Sequence, residues 1–466
     1  MGKLSIRENK YIGNKAFYST LLAVAVPIMI QNGISNFVNL LDNLMIGRVG
    51  TNALSGVAIA NQIMFVYYLL IFGASAGVGI FTAQYHGCND TEGVRVSFRF
   101  KLLANTFLTL VAVAILFIFR EPLIELFLKG EGEVSDAQET LRIGIIYTEI
   151  MLIGLIPVGL TNAWAGTLRE TGQTRVPMIA SLIAIFVNLC GNALLIYGLF
   201  GLPALGAAGA AIATVFSRFV ELAVLIIYTA SHSKEHPFIV GAFKNFRVPF
   251  RLAKKFALKS LPLMANESLW ALGQAFLTQC FSYRSLDAVA AINIQSTLWN
   301  LMGVSFLAMG DAVGILLGQI LGSGNIKKAR DDARKMIAFS VACGAFFGLL
   351  MMLAAPFFPL LYKTSDEIRH MATLLILISG LLMPAFACTH ASYFTIRSGG
   401  NTLITFIFDC FYTWLIAVPA AFIISRFTDI SVVLMIGIVN GLETIKCAIG
   451  LGMVRSGIWA KNIVKS

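Results

Sequence analysis

Charge is what this chain has least of. Asp, Glu, Lys and Arg make up 13% of its 466 residues, and there are five histidines. A soluble protein carries roughly a quarter of its residues charged, so this supply is too thin for an ordinary soluble surface. Paired cysteine is missing as well: the seven cysteines are scattered, with no Cys-x-x-Cys, which argues against a disulfide frame and against a zinc site. Cys190 and Cys410 read as small core residues. Catalytic signatures are also absent. GSGNIKK at 322–328 lacks the glycine-to-lysine spacing of a phosphate loop, so direct use of ATP is not indicated, and neither His-Glu-x-x-His nor Gly-x-Ser-x-Gly occurs. We therefore expect no enzyme, no cofactor and no structural metal.

What fills the chain is apolar: 57% hydrophobic residues and a mean hydropathy of +0.79. A bilayer-crossing helix needs roughly 20 apolar residues, and twelve runs qualify as spans, at about 17–45, 52–83, 102–119, 143–165, 176–198, 206–230, 256–281, 287–320, 336–361, 371–395, 402–425 and 430–452. The fold class expected is an all-α polytopic membrane protein. The net charge of +11 would suit a nucleic-acid partner, but its distribution speaks against one. With the N-terminus inside, 25 of the 35 Lys and Arg fall on inner segments and 8 on outer ones, the bias that orients membrane proteins. Both termini are thus expected in the cytoplasm, with no cleavable signal peptide.

The chain repeats itself. At a shift of 235 residues Pro27 falls on Pro262, Ala53 on Ala288 and Arg95 on Arg330, and VGIFTAQYHGCND (78–90) lies over VGILLGQILGSGN (313–325). Pro122 falls on Pro356 at 234, and RETGQT (169–174) on RSGGNT (397–402) at 228. Six spans per half make this a parallel repeat, whose binding region is expected where the halves meet. The expected domains are an N-terminal segment (1–16), a six-helix bundle (17–230), a basic linker (231–255), a second bundle (256–452) and a cytoplasmic tail (453–466). Within the connector, RLAKKFALK reads as an interfacial helix feeding span 7, its charges contacting lipid headgroups.

Against this apolar ground, polar residues inside spans stand out. In span 1, Gln31, Ser35, Asn39 and Asp42 recur at spacings of four, four and three, which at about 3.6 residues per turn places them on one face. A carboxylate facing lipid costs roughly 2–4 kcal/mol, so the stripe should face a bundle interior or a watery cavity. Asp42 is then the first candidate for binding a cation, the alternative being a capped helix end. Asn188 and Asn192 stand one turn apart in span 5, suited either to coordinate a small cation or to bond between helices. Glu267 heads a stripe with Trp270, Gln274 and Thr278 in span 7, as a second acid or a solvated inner-end carboxylate. Asp409 lies on a Thr402, Thr405, Asp409, Thr413 stripe in span 11, and Asp311 faces a cavity or caps a helix break. Arg218 with Glu221, and Glu443 with Lys446, are three apart and read as pairs neutralised on their own helices.

These residues resemble the multidrug and toxic compound extrusion (MATE) transporters, from end to end. The marks are LDNLMIG closing span 1, VGxxxxQxxG in each half, GLPALGAAGAAIAT at 201–214, and RETGQT with RSGGNT. The resemblance implies two six-helix bundles in a V around a central cleft, and export of organic cations in exchange for Na⁺ or H⁺. Asp42 falls on the family's span-1 acid. Asn188 matches the first member of an Asn-x-x-x-Asp pair of one branch, but Asn192 stands where that branch has Asp. Glu267 resembles the span-7 glutamate of another branch, whose further acid is Phe386 here. The expected function is an inner-membrane, monomeric antiporter in which Asp42 takes up and releases a cation, a transient Na⁺ or a proton, with Asn39, Asn188 and Asn192 shaping its pocket. Its partners would be a small organic substrate, the coupling ion and membrane lipids. A flippase for lipid-linked sugars is the rival, expected to carry a more basic cleft; a membrane-embedded enzyme or receptor is a further one.

Overall fold

The structure, a computed structural model, describes residues 10–128 and 134–465. Residues 1–9 of the expected N-terminal segment, 129–133 of the longest outer loop and Ser466 lie outside the described residues. Among the described residues there are twelve long helices. Six make up the first half: α1 (Lys15–Gly47), α2 (Thr51–Gly87), α3 (Thr91–Leu128), α4 (Val134–Glu170), α5 (Arg175–Tyr197) and α6 (Gly206–Ser231). The second half holds α7 (Phe250–Arg284), α8 (Leu286–Gly322), α9 (Ile326–Ala354), α10 (Asp366–Ser398), α11 (Thr402–Phe427) and α12 (Val432–Ser456). Among the described residues, eleven of them are long and apolar enough to cross a membrane. The twelfth, α7, opens on RLAKKFALK and carries Asn266, Glu267 and Gln274, which lower its hydropathy. The basic stretch is thus the first turns of α7 itself, not a separate interfacial helix, because no Gly or Pro interrupts it before Pro262.

The turns obey the repeat. Asn89 and Gly324, 235 apart, both take the left-handed conformation (φ 58° and 89°), each closing a tight link between two long helices. Gly172 and Gly400, 228 apart, do the same at 86° and 79°. Such positions favour residues that tolerate positive φ, glycine first and asparagine next.

Two compact units form. One comprises residues 30–82 and 91–264, the other residues 10–29, 83–90 and 265–465. The α1 and α7 helices therefore each divide, just beyond Pro27 and Pro262, where the ring removes a backbone donor and loosens the ladder. In the first unit the opening turns of α7 lie against α2: Ser260 donates to the Ala74 carbonyl at 2.8 Å, and a Cβ at Gly77 would meet the Ser260 backbone. In the second, Leu21, Val24, Ala25 and Ile28 of α1 are buried with Ala308, Ala312 and Val313 of α8.

The first unit's core joins Val57, Met64, Ile71, Leu155 and Ala211. Within it Tyr67 donates to the Leu155 carbonyl (2.9 Å) and Asn105 to Ser75 (3.0 Å) and the Gly159 carbonyl (2.9 Å). Lys101 of α3 is fully buried and ion-paired with Glu170 of α4. The second unit is closed at one end by the segment after α12. Trp459 is buried, Asn462 donates to the carbonyls of Leu321 and Gly322, and Gln84 donates to Ser398 and Lys461 while accepting from the Ile463 amide. Gly87 and Gly322, 235 apart, pack reciprocally: a Cβ on either would strike the carbonyl of Gln319 or Gln84 within 2.0 Å.

Candidate functional site

Asp42 sits in the last turns of α1, half-buried, and its partner is on another helix. The Asn192 amide of α5 donates to its carboxylate at 2.7 Å, and the same NH₂ lies 3.3 Å from Asn188 Oδ1. Asn188 in turn donates to Thr214 of α6 at 3.0 Å. The one-turn spacing of the two asparagines stacks their amides into a chain that ends on the carboxylate. Both asparagines are buried, at 6% and 1% exposure, and Asn192 Oδ1 has no hydrogen-bond partner among the described residues. A buried acceptor without a donor costs about 1–3 kcal/mol, so this oxygen beside a carboxylate is a ready ligand for a small cation or an acid proton.

The cation nearest in effect is Arg218 of α6, whose charge reaches Asp42. Its guanidinium is, however, engaged by Glu221 at 3.0 Å on its own helix. The direct partner of Asp42 is therefore neutral. Of the other members of the span-1 stripe, Asn39 is exposed, Gln31 and Ser35 are half-buried, and Gln31 Oε1 is buried without a partner among the described residues.

The remaining candidates gather in the other unit. Asp409 of α11 receives Lys446 of α12 at 2.5 Å and Asn266 of α7 at 3.0 Å. Glu267 accepts from Asn266 and lies within electrostatic reach of Arg397, Asp409 and half-buried Asp311. Gln274 and Trp270 are exposed and do not join. One expectation is corrected: Lys446 does not serve Glu443 alone. Glu443 is 3.9 Å from it, and Asp409, on a different helix, is closer. Thirty-seven residues of sequence separate Lys446 from Asp409, so only the antiparallel packing of α11 on α12 brings them together.

The ion pair of Lys101 with Glu170 was not foreseen from sequence, since an apolar run beginning at 102 leaves Lys101 as a loop charge. The signal was available in the helix itself: α3 starts at Thr91, so Lys101 lies three turns inside it.

A family model described as MatE matches residues 27–194 and 262–423. A probable multidrug resistance protein NorM of Thermotoga maritima is 24% identical over 448 residues, covering 95% of this chain and 93% of that protein. The multidrug resistance protein PmpM of Pseudomonas aeruginosa is 25% identical over 418 residues, covering 88% and 84%. Among solved structures, an outward-facing multidrug resistance MATE family transporter aligns with a TM-score of 0.84 at 20% identity, over 95% of this chain and 97% of that one.

Proposed function

We propose, for a chain that belongs to the MatE family of multidrug and toxic compound extrusion transporters, that it exports amphipathic organic compounds, cationic ones above all, in exchange for Na⁺ or H⁺. Relatives along nearly its whole length carry the name multidrug resistance protein, which supports this class of cargo. The protein works by alternating access in the inner membrane, as a monomer with both termini in the cytoplasm.

The observation that carries the coupling is the neutral company of Asp42. A carboxylate bonded to a permanent counter-ion has nothing to exchange. One bonded to an amide keeps its charge available, and in a low-dielectric setting it gains by binding a cation. With Na⁺, the Asp42 carboxylate and Asn192 Oδ1 supply hard oxygen ligands, with Asn188 behind them. With H⁺, the protonated acid donates to that same oxygen once the Asn192 amide turns over. The basic cleft expected of a lipid-linked sugar flippase gains no support: Lys101, Arg218 and Lys446 are each matched by a carboxylate.

The test is efflux of a fluorescent organic cation from proteoliposomes under separately imposed Na⁺ and H⁺ gradients. One gradient should drive efflux that its collapse abolishes. Efflux indifferent to both gradients would remove the antiport reading.

A further inference from the structure

The ammonium of Lys446 occupies a built cage. Asp409 Oδ1 is 2.5 Å from its Nζ and Glu443 Oε1 3.9 Å. The same atom stands 5.2 Å from the Tyr412 ring centroid and 5.7 Å from that of Phe408. Carboxylates plus aromatic faces around one ammonium is the arrangement by which proteins recognise alkylammonium ligands. A second observation points the same way. The Tyr412 hydroxyl, on a side chain only 7% exposed and within reach of the Glu443 charge, has no hydrogen-bond partner among the described residues. The cage is not sealed: the Lys446, Asp409 and Glu443 side chains keep 11%, 15% and 11% exposure.

The helix that supplies the cage is also the least regular. Two π turns, Ile407–Phe411 and Thr413–Ala417, flank Tyr412, and the second leads into Pro419. A proline ring crowds the carbonyl four residues before it, here Leu415, and a widened turn relieves that. Phe408 and Asp409 are carried on the first of these π turns, and Tyr412 stands between the two.

We infer that this cage is a second organic-cation site, contained in one unit, and that Lys446 is its tethered competitor. An entering ammonium group takes the place between Asp409 and the two rings, while the Lys446 head moves to Glu443, one turn away on its own helix. The inference goes beyond the Asp42 reading and rests on it only in that the cargo is an organic cation.

The probe is n-butylammonium, which is the lysine side chain without its backbone. Binding is measured calorimetrically on the full chain in detergent, with no ion gradient. Lys446→Ala should bind it at least tenfold more tightly than wild type, and the gain should vanish in Lys446→Ala with Asp409→Asn. Equal affinity of folded wild type and Lys446→Ala would overturn the inference. Should Lys446→Ala not fold, Tyr412→Leu in the otherwise native chain decides: binding weakened at least fivefold supports the cage, and unchanged binding overturns it. The same titration in Asp42→Asn keeps the two readings separate, since binding at the cage should persist there whatever becomes of coupled efflux.

Discussion

Asp42 and Asp409 are both carboxylates on long apolar helices, and they differ in what holds them. Asp42 is bonded to the amide of Asn192, at 2.7 Å. Asp409 has a lysine ammonium at 2.5 Å and an amide besides. Burying an ion without a partner is costly, and a bonded counter-ion offsets part of that cost. Asp409 is therefore stable as it stands, and a new cation must first displace Lys446. Asp42 is left with its charge to satisfy, which is the condition for exchanging ions. On the proposed function, the charge at Asp42 answers to a gradient while that at Asp409 answers to a competing ammonium group, a distinction that composition alone cannot draw.

The comparison breaks most visibly at the pairs. Lys101→Met removes the fully buried ammonium paired with half-buried Glu170 and should destabilise the protein by roughly 3–5 kcal/mol, as removal of one partner from a buried pair does. Thermal unfolding in detergent reads this, and Glu170→Gln added to it should recover most of the loss. Asp409→Asn should cost less, roughly 2–3 kcal/mol, because Glu443 stands 3.9 Å from Lys446 and takes it over. A loss as large as that of Lys101→Met would show that Glu443 gives no such relief. Asn192→Ala leaves charges in place but removes a bond to a carboxylate worth about 1.5–3 kcal/mol, so efflux should fall roughly tenfold or more, with a smaller loss of stability than Lys101→Met brings. Asn39→Ala, at an exposed position one turn from Asp42 on the same helix, should leave efflux within about twofold of wild type by the usual scale of surface substitutions; a larger fall would place that residue in the site.

How far the sequence could be read follows from which contacts are local. The twelve helices come from apolar runs, and the turn geometry at Asn89, Gly324, Gly172 and Gly400 from internal duplication, both visible in one dimension. The span-5 asparagines and Asp42 could each be picked out as polar residues in apolar surroundings, and the family pattern linked them. Lys101 was missed because apolarity marks the lipid-facing part of a helix, whereas α3 continues past it among other helices. Lys446 was assigned to Glu443 because the i to i+3 neighbour is the one a sequence displays. Its nearer partner is visible only once α11 packs on α12. The division of α1 and α7 between the two units at their prolines has no one-dimensional signature beyond the prolines themselves.

Whether the charge at position 42 is exchangeable is decided by Asp42→Asn in proteoliposomes. The substitution keeps the shape and a hydrogen bond to Asn192 while removing the charge, so the protein should fold and reconstitute normally. Gradient-driven efflux of a fluorescent organic cation should drop to the protein-free leak. Efflux from Asp42→Asn at the wild-type rate, under the same gradient, would contradict the account.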